Sequence, residues 1–186
     1  MSWKTTLGLV VVAALLGGYY YWYEVKGGEQ RKAAEEATQR IFQLKKDAVE
    51  AVTISRGQEV IKLTRDATDG WMLIEPVRAK AEDRSVDEVL DGLVEGKRDK
   101  VITEQAADVA DFGLKEPSIV VQATVKDGGT PIVLNVGART PTMGGYYARE
   151  GEQSKILVVP TSLYSKFDKT VFNLRDKTVL ALDQTQ

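Results

Sequence analysis

From Leu7 to Tyr23 no charge interrupts the chain, whereas from Val49 onward apolar residues recur at every second position or every third to fourth. The first run reads Leu7-Gly-Leu-Val-Val-Val-Ala-Ala-Leu-Leu-Gly-Gly-Tyr-Tyr-Tyr-Trp-Tyr23. With Trp3 and Lys4 before it and Lys26 after it, the run is long enough to cross a bilayer, which takes about 20 helical residues. The aromatics from Tyr19 to Tyr23 stand at one end, where amphipathic rings favour the headgroup layer. The pattern predicts one transmembrane helix in membrane lipid, within an anchor spanning residues 1–26. A cleaved signal peptide is the rival reading. Such peptides have a shorter apolar core and end in small residues. Here the run ends in aromatics, and the chain has no cysteine to take a lipid. Ala13 with Gly17, and Ala14 with Gly18, form small-xxx-small pairs that allow close packing against a partner helix. Small residues are common in such helices in any case.

Charge leaves the orientation open. Lys4 precedes the run; Lys26, Arg31, Lys32 and Arg40 follow it, mixed with Glu24, Glu29, Glu35 and Glu36. That count mildly favours a cytoplasmic C-terminal domain, but long domains translocate largely regardless of charge.

Gly27-Gly28 breaks the pattern. Residues 29–46 then read as a charged helix, with Ala34, Ala37, Ile41 and Leu44 spaced by three and four and Glu36–Arg40 as an i,i+4 pair. The expectation is a helical stalk over residues 27–46. Its stripe is too thin and short for a coiled coil.

Alternation then takes over. Strands are predicted over 49–55 and 59–64 around the turn Arg56-Gly57-Gln58, and over 71–74 after a turn at Asp66–Gly70, stopped by Pro76. Val86, Val89, Leu90, Leu93 and Val94 give one face of a helix capped by Asp83 or Ser85 and ended by Gly96. A short strand over 98–103 and a short helix over 105–111, stopped by Gly113, follow. Strands at 118–126 and 131–136 flank the hairpin turn Asp127-Gly128-Gly129. A loop over 137–144 leads to the aromatic strand 145–149. The strand 155–159 ends at Pro160, and Thr161 or Ser162 caps a helix carrying Leu163, Tyr164 and Phe167. Phe172 and Leu174 look like packing residues in the closing stretch. Strand–turn–strand–loop–aromatic strand–helix thus occurs twice, first with Trp71 and then with Tyr146 and Tyr147, a weak internal repeat. The expected fold class is α+β: a transmembrane helix followed by a mainly antiparallel β-meander domain with short helices over 47–182, and a tail at 183–186.

Charge and composition narrow the chemistry. Net charge is −2 with the signs interspersed, so no basic stripe for nucleic acid is expected. There is no cysteine and no histidine. Disulfides, thiolate metal sites, histidine triads and the usual general base are therefore out of reach. No cofactor or metal is expected, and the chain reads as a non-enzyme. Ser–Lys and carboxylate chemistry remain. Ser154-Lys155 and Ser165-Lys166 are adjacent pairs, and neighbours on a strand point to opposite faces. Asp66-Ala-Thr-Asp69-Gly70 lacks the spacing and distal glutamate of a calcium loop. Asp87, Glu88 and Asp91 read as a solvated helix face.

The candidate contact surface is Met143-Gly144-Gly145-Tyr146-Tyr147-Ala148-Arg149. Glycines permit close backbone approach, and aromatics with arginine suit interface anchors. Strand alternation puts Tyr146 and Tyr147 on opposite faces. Tyr147 and Arg149 form the outward pair, joined by Met143, Gly144 and Gly145.

Three blocks carry a resemblance. They are Gly70-Trp71-Met-Leu-Ile-Glu-Pro76-Val77 with the helix after it; Ala110-Asp-Phe-Gly113-Leu114 with Pro117; and Val136-Gly137, Thr140-Pro141 and Gly144 to Arg149. Together, over residues 47–180, they resemble the bacterial domain of unknown function 4340 family. The resemblance implies a single-pass protein of the bacterial inner membrane with its domain in the periplasm. It also implies association with an inner-membrane complex, such as an ABC-type permease. It supplies no catalytic residues. The leading expectation is an accessory subunit that binds a partner or cargo of such a complex. A self-assembling scaffold is the alternative, and a Ser–Lys or carboxylate hydrolase comes last.

Overall fold

The computed structural model of the chain describes residues 37–66, 70–106, 108–126 and 129–177, with residues 3, 7, 8, 16–21 and 23 near the start. Contacts divide it into two compact units, Met1–Gln39 and Arg40–Gln186. In the first, residues 16–20 are helical and exposed. Gly17 and Gly18 lie there, with open space where a Cβ would point. Tyr19 stacks on Tyr23 at 5.7 Å. Ala13, Ala14 and most of the expected anchor lie outside the described residues. Among those described, no helix is long and apolar enough to cross a membrane. The turns expected at 66–70 and 127–129, and the stretch from 178 to the tail, also fall wholly or partly outside them.

The second unit is built on one antiparallel sheet. Its strands are β1 (Val49–Arg56), β2 (Glu59–Asp66), β3 (Gly70–Glu75), β4 (Ala79–Lys80), β5 (Lys100–Thr103), β6 (Ile119–Val125), β7 (Ile132–Arg139), β8 (Gly145–Glu150) and β9 (Ile156–Pro160). Their order is β4-β3-β2-β1-β6-β7-β8-β9-β5. The helices are α1 (Asp83–Glu95), α2 (Thr161–Phe167) and α3 (Val171–Leu174). The mainly antiparallel α+β expectation holds for this unit.

Alternation decides which face each strand buries. Ile61 and Leu63 of β2, Trp71 and Leu73 of β3, and Val121 and Ala123 of β6 enter the core. A register shift between Val49 and Ala51 turns Val49 to the same face as Val52 and Ile54. Strict period-two reading places Val49 opposite; one extra residue at a bulge reverses it. α1 covers this face with Val86, Val89, Leu90 and Leu93, all fully buried and each contributing roughly 1.5–3 kcal/mol. α2 adds Leu163 and Phe167 to the same core.

Several elements differ from expectation. α1 begins at Asp83, because the Glu82 carboxylate accepts from the Ser85 N–H at 2.6 Å and caps it. The stalk helix does not reach Lys46. Ile41 is buried, Phe42 and Leu44 pack against the core, and the Ile41 N–H donates to the Gly96 carbonyl at 2.9 Å. Burial of three apolar side chains outweighs helix propensity there. The helix expected over 105–111 is only a 3-10 turn at Ala110–Phe112. β7 runs on to Arg139, so the expected long loop is a five-residue connection, 140–144. Phe172 does not pack into the core: it is 71 % exposed, under the Lys177 ammonium at 4.4 Å.

The second half of the sheet is covered on its other face as well. Leu114, Ile156 and Val158 are buried yet stand apart from the main core. The 3-10 turn lies directly on β7. A Cβ at Gly137 would stand 2.4 Å from the Phe112 carbonyl oxygen, and one at Gly113 would stand 2.7 Å from the Ala138 nitrogen. Only glycines at both points let the two backbones touch.

Candidate functional site

Beside that second layer, the β7–β8 hairpin and the β5 edge enclose a cleft of about 500 Å³. Asp99, Lys100 and Ile102 form one wall, Pro141 and Tyr147 the other, and Val158 lies between them. The hairpin is held from within. The Thr140 N–H donates to the Gly145 carbonyl and the Met143 N–H to the Thr140 carbonyl, both at 2.8 Å. The buried Thr140 hydroxyl accepts from the Gly145 N–H at 3.3 Å. The Arg139 guanidinium donates to the Met143 carbonyl at 2.9 Å, and the Thr161 hydroxyl to the Gly144 carbonyl at 3.4 Å.

Met143 adopts φ 58°, a left-handed conformation that a bulky residue rarely takes, and its side chain is 64 % exposed. Gly144 is exposed beside it. Gly145 is buried, and a Cβ there would meet the Val159 carbonyl oxygen at 2.4 Å. Glycine is what lets β8 and β9 approach at the mouth of the cleft.

The two tyrosines diverge. Tyr146 turns toward the helices, packs on the core, and stacks on Tyr164 at 3.9 Å with the rings 7° from parallel. The Arg139 guanidinium stands 6.0 Å from the Tyr146 ring centre. Burial raises the Tyr164 hydroxyl above its ordinary pKa, and the Asp168 charge adds to this. Tyr147 points to the opposite face, half-buried, with the Phe112 ring edge-on at 5.0 Å. Arg149 shares that face and is also half-buried. Its Nε is buried and meets no hydrogen-bond partner among the described residues. The structure thus places Gly144, Gly145 and Tyr147 in the lining of one cleft, with Met143 in the same hairpin but outside that lining, and Arg149 two residues further along β8 from Tyr147.

Pro141, at the start of the expected contact loop, lines the cleft with Gly144, Gly145 and Tyr147; Ile102 and Phe112 complete the surroundings and were not legible as site residues. One signal existed. In β5 the apolar Val101 and Ile102 are adjacent and must face opposite ways; Val101 packs on the core, which leaves Ile102 outside, 40 % exposed. The cleft therefore offers an apolar floor, a short polar rim, and the edge of a sheet. It can receive an apolar side chain while the edge pairs with an extended backbone.

The other candidates serve packing and pairing. Lys155 meets Glu104 at 3.2 Å, and the Ser165 hydroxyl donates to the Thr161 carbonyl at 3.0 Å. The acidic face of α1 is tied down as well as solvated, since Lys46 pairs with Asp91 and Lys169 with Glu88, each at 2.5 Å. The hydrogen bond from Lys169 holds the Glu88 carboxyl below its ordinary pKa. Among the described residues, no three or more acidic side chains stand together to hold a metal ion.

A family profile matches residues 71–186, from Trp71 of β3 through the cleft to the end of the chain. The chain belongs to that family, described as a domain of unknown function, DUF4340. No curated protein and no solved structure matches it.

Proposed function

We propose that this chain is a non-enzymatic accessory subunit of an inner-membrane transport complex. In this reading residues 1–26 anchor it as a single transmembrane helix, and the β domain lies in the periplasm. The domain docks a protein partner of an ABC-type system. The uninterrupted apolar run Leu7–Tyr23 supports the anchor, and the family resemblance supports the setting. The observation that carries the docking reading is the cleft itself. An edge strand, an exposed Ile102 and a half-buried Tyr147 stand together around about 500 Å³ of open space. The partner adds an extended segment along β5 and seats an apolar side chain between Ile102, Pro141 and Tyr147. Tyr147 supplies a rigid aromatic wall, and the exposed Met143 of the same hairpin an adaptable contact beside the cleft.

The side of the membrane is tested by alkaline phosphatase fused after Leu182. Activity supports a periplasmic domain; a cytoplasmic reporter that fluoresces instead contradicts it. Docking is tested by gentle-detergent capture followed by mass spectrometry. The wild-type chain recovers permease or ATPase subunits. Ile102→Asp and Tyr147→Ala lose them while the melting temperature stays within a few degrees. Undiminished recovery by both variants, still folded, overturns the cleft as the contact.

A further inference from the structure

At the ends of β7 and β8 opposite the hairpin lies a second cavity, of about 390 Å³. Its floor is fixed by hydrogen bonds. The Gly151 N–H donates to the Val133 carbonyl at 2.8 Å, and the Gln153 N–H to the Glu150 carbonyl at 3.0 Å. The side-chain amide of the buried Asn135 donates to the Gly151 carbonyl at 2.6 Å. Phe42, Pro131 and Ile132 give the cavity apolar walls. Phe42 comes from the segment ahead of β1 and packs against the core.

Glu150 is the unusual member of the lining. It stands opposite Leu134 in the β7–β8 register, and cross-strand partners share a face. Leu134 is fully buried, so the Glu150 side chain leaves the strand on the core side of the sheet, where it is half-buried. A carboxylate drawn out of water needs a partner. Gln153 hydrogen-bonds to it through its side chain, but among the described residues no lysine or arginine forms an ion pair with it. Lys155 is engaged by Glu104 at 3.2 Å, and Arg98 acts on Glu150 only from a distance. β3, the matching aromatic strand, also ends in glutamate, yet Glu75 has Lys62 of β2 at 3.8 Å. β7 supplies no such lysine to Glu150. What lies beside it instead is open space, lined by Glu150 and the exposed Glu152 and by no cationic side chain among the described residues.

We propose that this cavity is a binding site for a small aliphatic amine. The ammonium sits between the Glu150 carboxylate and the Phe42 ring, and the alkyl body lies on Pro131 and Ile132. A carboxylate with an aromatic ring beside it suits an ammonium that has left water. A cavity of this size encloses a small ligand. Glu152 adds negative charge at the rim, while Lys155 and Arg98 stand outside the lining and moderate the Glu150 charge without taking its partner's place. The site lies at the other end of β7 and β8 from the cleft and does not rest on the docking reading above. Burial raises the Glu150 pKa, so the charge that holds the amine is lost as pH falls through that raised value, whereas an alkylammonium stays protonated throughout.

The test uses the full chain in a nonionic detergent, with pentylammonium chloride as the probe and ligand-observed NMR as the readout. At pH 7 the parent is expected to bind pentylammonium saturably below about 10 mM. Glu150→Gln, still folded, binds roughly tenfold more weakly. Phe42→Leu keeps the apolar bulk without the ring and loses roughly threefold. 1-Pentanol, of the same length but uncharged, binds the parent roughly tenfold more weakly than the amine does. The parent's affinity for pentylammonium falls under acid and its affinity for 1-pentanol does not, a comparison that needs no variant to fold. A flat acid profile, equal binding of 1-pentanol, undiminished binding by folded Glu150→Gln, or no saturable binding to the parent overturns the proposal. So does a lysine-containing pentapeptide that binds far more tightly than pentylammonium, which assigns the cavity to a protein side chain.

Discussion

Met143 is held left-handed by the hairpin that closes the cleft, with its carbonyl fixed by Arg139. That conformation costs an L-residue roughly 1–2 kcal/mol, part of which glycine returns through its looser unfolded chain. Met143→Gly is therefore expected to stabilise the domain by up to about 1 kcal/mol, read as a higher denaturation midpoint, and to weaken partner recovery. A lower midpoint shows that the Met143 side chain packs more than its exposure implies. Titration separates two glutamates. Burial raises the Glu150 pKa above the ordinary 4.5, with Lys155 and Arg98 opposing. Its folded form holds a proton more tightly than its unfolded form, so its contribution to stability is present below that value and lost as pH rises through the raised one. Glu150→Gln is expected to be more stable than the parent at pH 7, with the gap closing under acid. Glu88 runs the other way. Lys169 lowers its pKa, so its contribution is present above the ordinary value and lost as pH falls through the lowered one. Glu88 is largely solvated, and added salt should shrink its share.

At the level of elements, most strands were legible because period-two alternation survives wherever one face is buried. Trp71 is buried at 7 % exposure in β3 with the Arg65 guanidinium 5.3 Å from its ring centre, as the alternation of Gly70–Glu75 demands. Trp71→Ala is expected to cost roughly 3–5 kcal/mol in denaturant melts. A loss below about 1 kcal/mol would mean that the ring contributes little to the core. The misses share a cause: tertiary contact overrode a local pattern. Ile41 and Leu44 fit a helical stripe, yet pack into the core from an extended segment. Residues 105–111 fit a short helix, but the chain is held against Gly137 and only one 3-10 turn remains. The bulge at Val49–Ala51 leaves no mark in composition. In the cleft, Tyr146 and Tyr147 were separable from alternation alone. Phe112 was not legible, since it reaches Tyr147 through a long-range contact with no local signature.

For the whole molecule, Arg40–Gln186 has its own core, with Leu63, Leu73, Leu90, Leu93 and Phe167 fully enclosed. A chain beginning at Arg40 is expected to fold as a soluble monomer with one cooperative melt. One beginning at Asp47 lacks the buried Ile41 and the packed Phe42 and Leu44, and should be less stable by at least the worth of one buried side chain, roughly 1.5–3 kcal/mol. Equal melts would show that the segment carrying Ile41 adds nothing to the core.

The central claim is that the domain meets its partner at the β5 cleft. A photo-crosslinking amino acid placed at Ile102 in the full chain, irradiated in native membranes, tests this most directly. Position 84, on α1 and highly exposed, serves as the control. The account predicts an adduct between position 102 and a permease or ATPase subunit, with none from position 84. An adduct from position 84 and none from position 102 would contradict it.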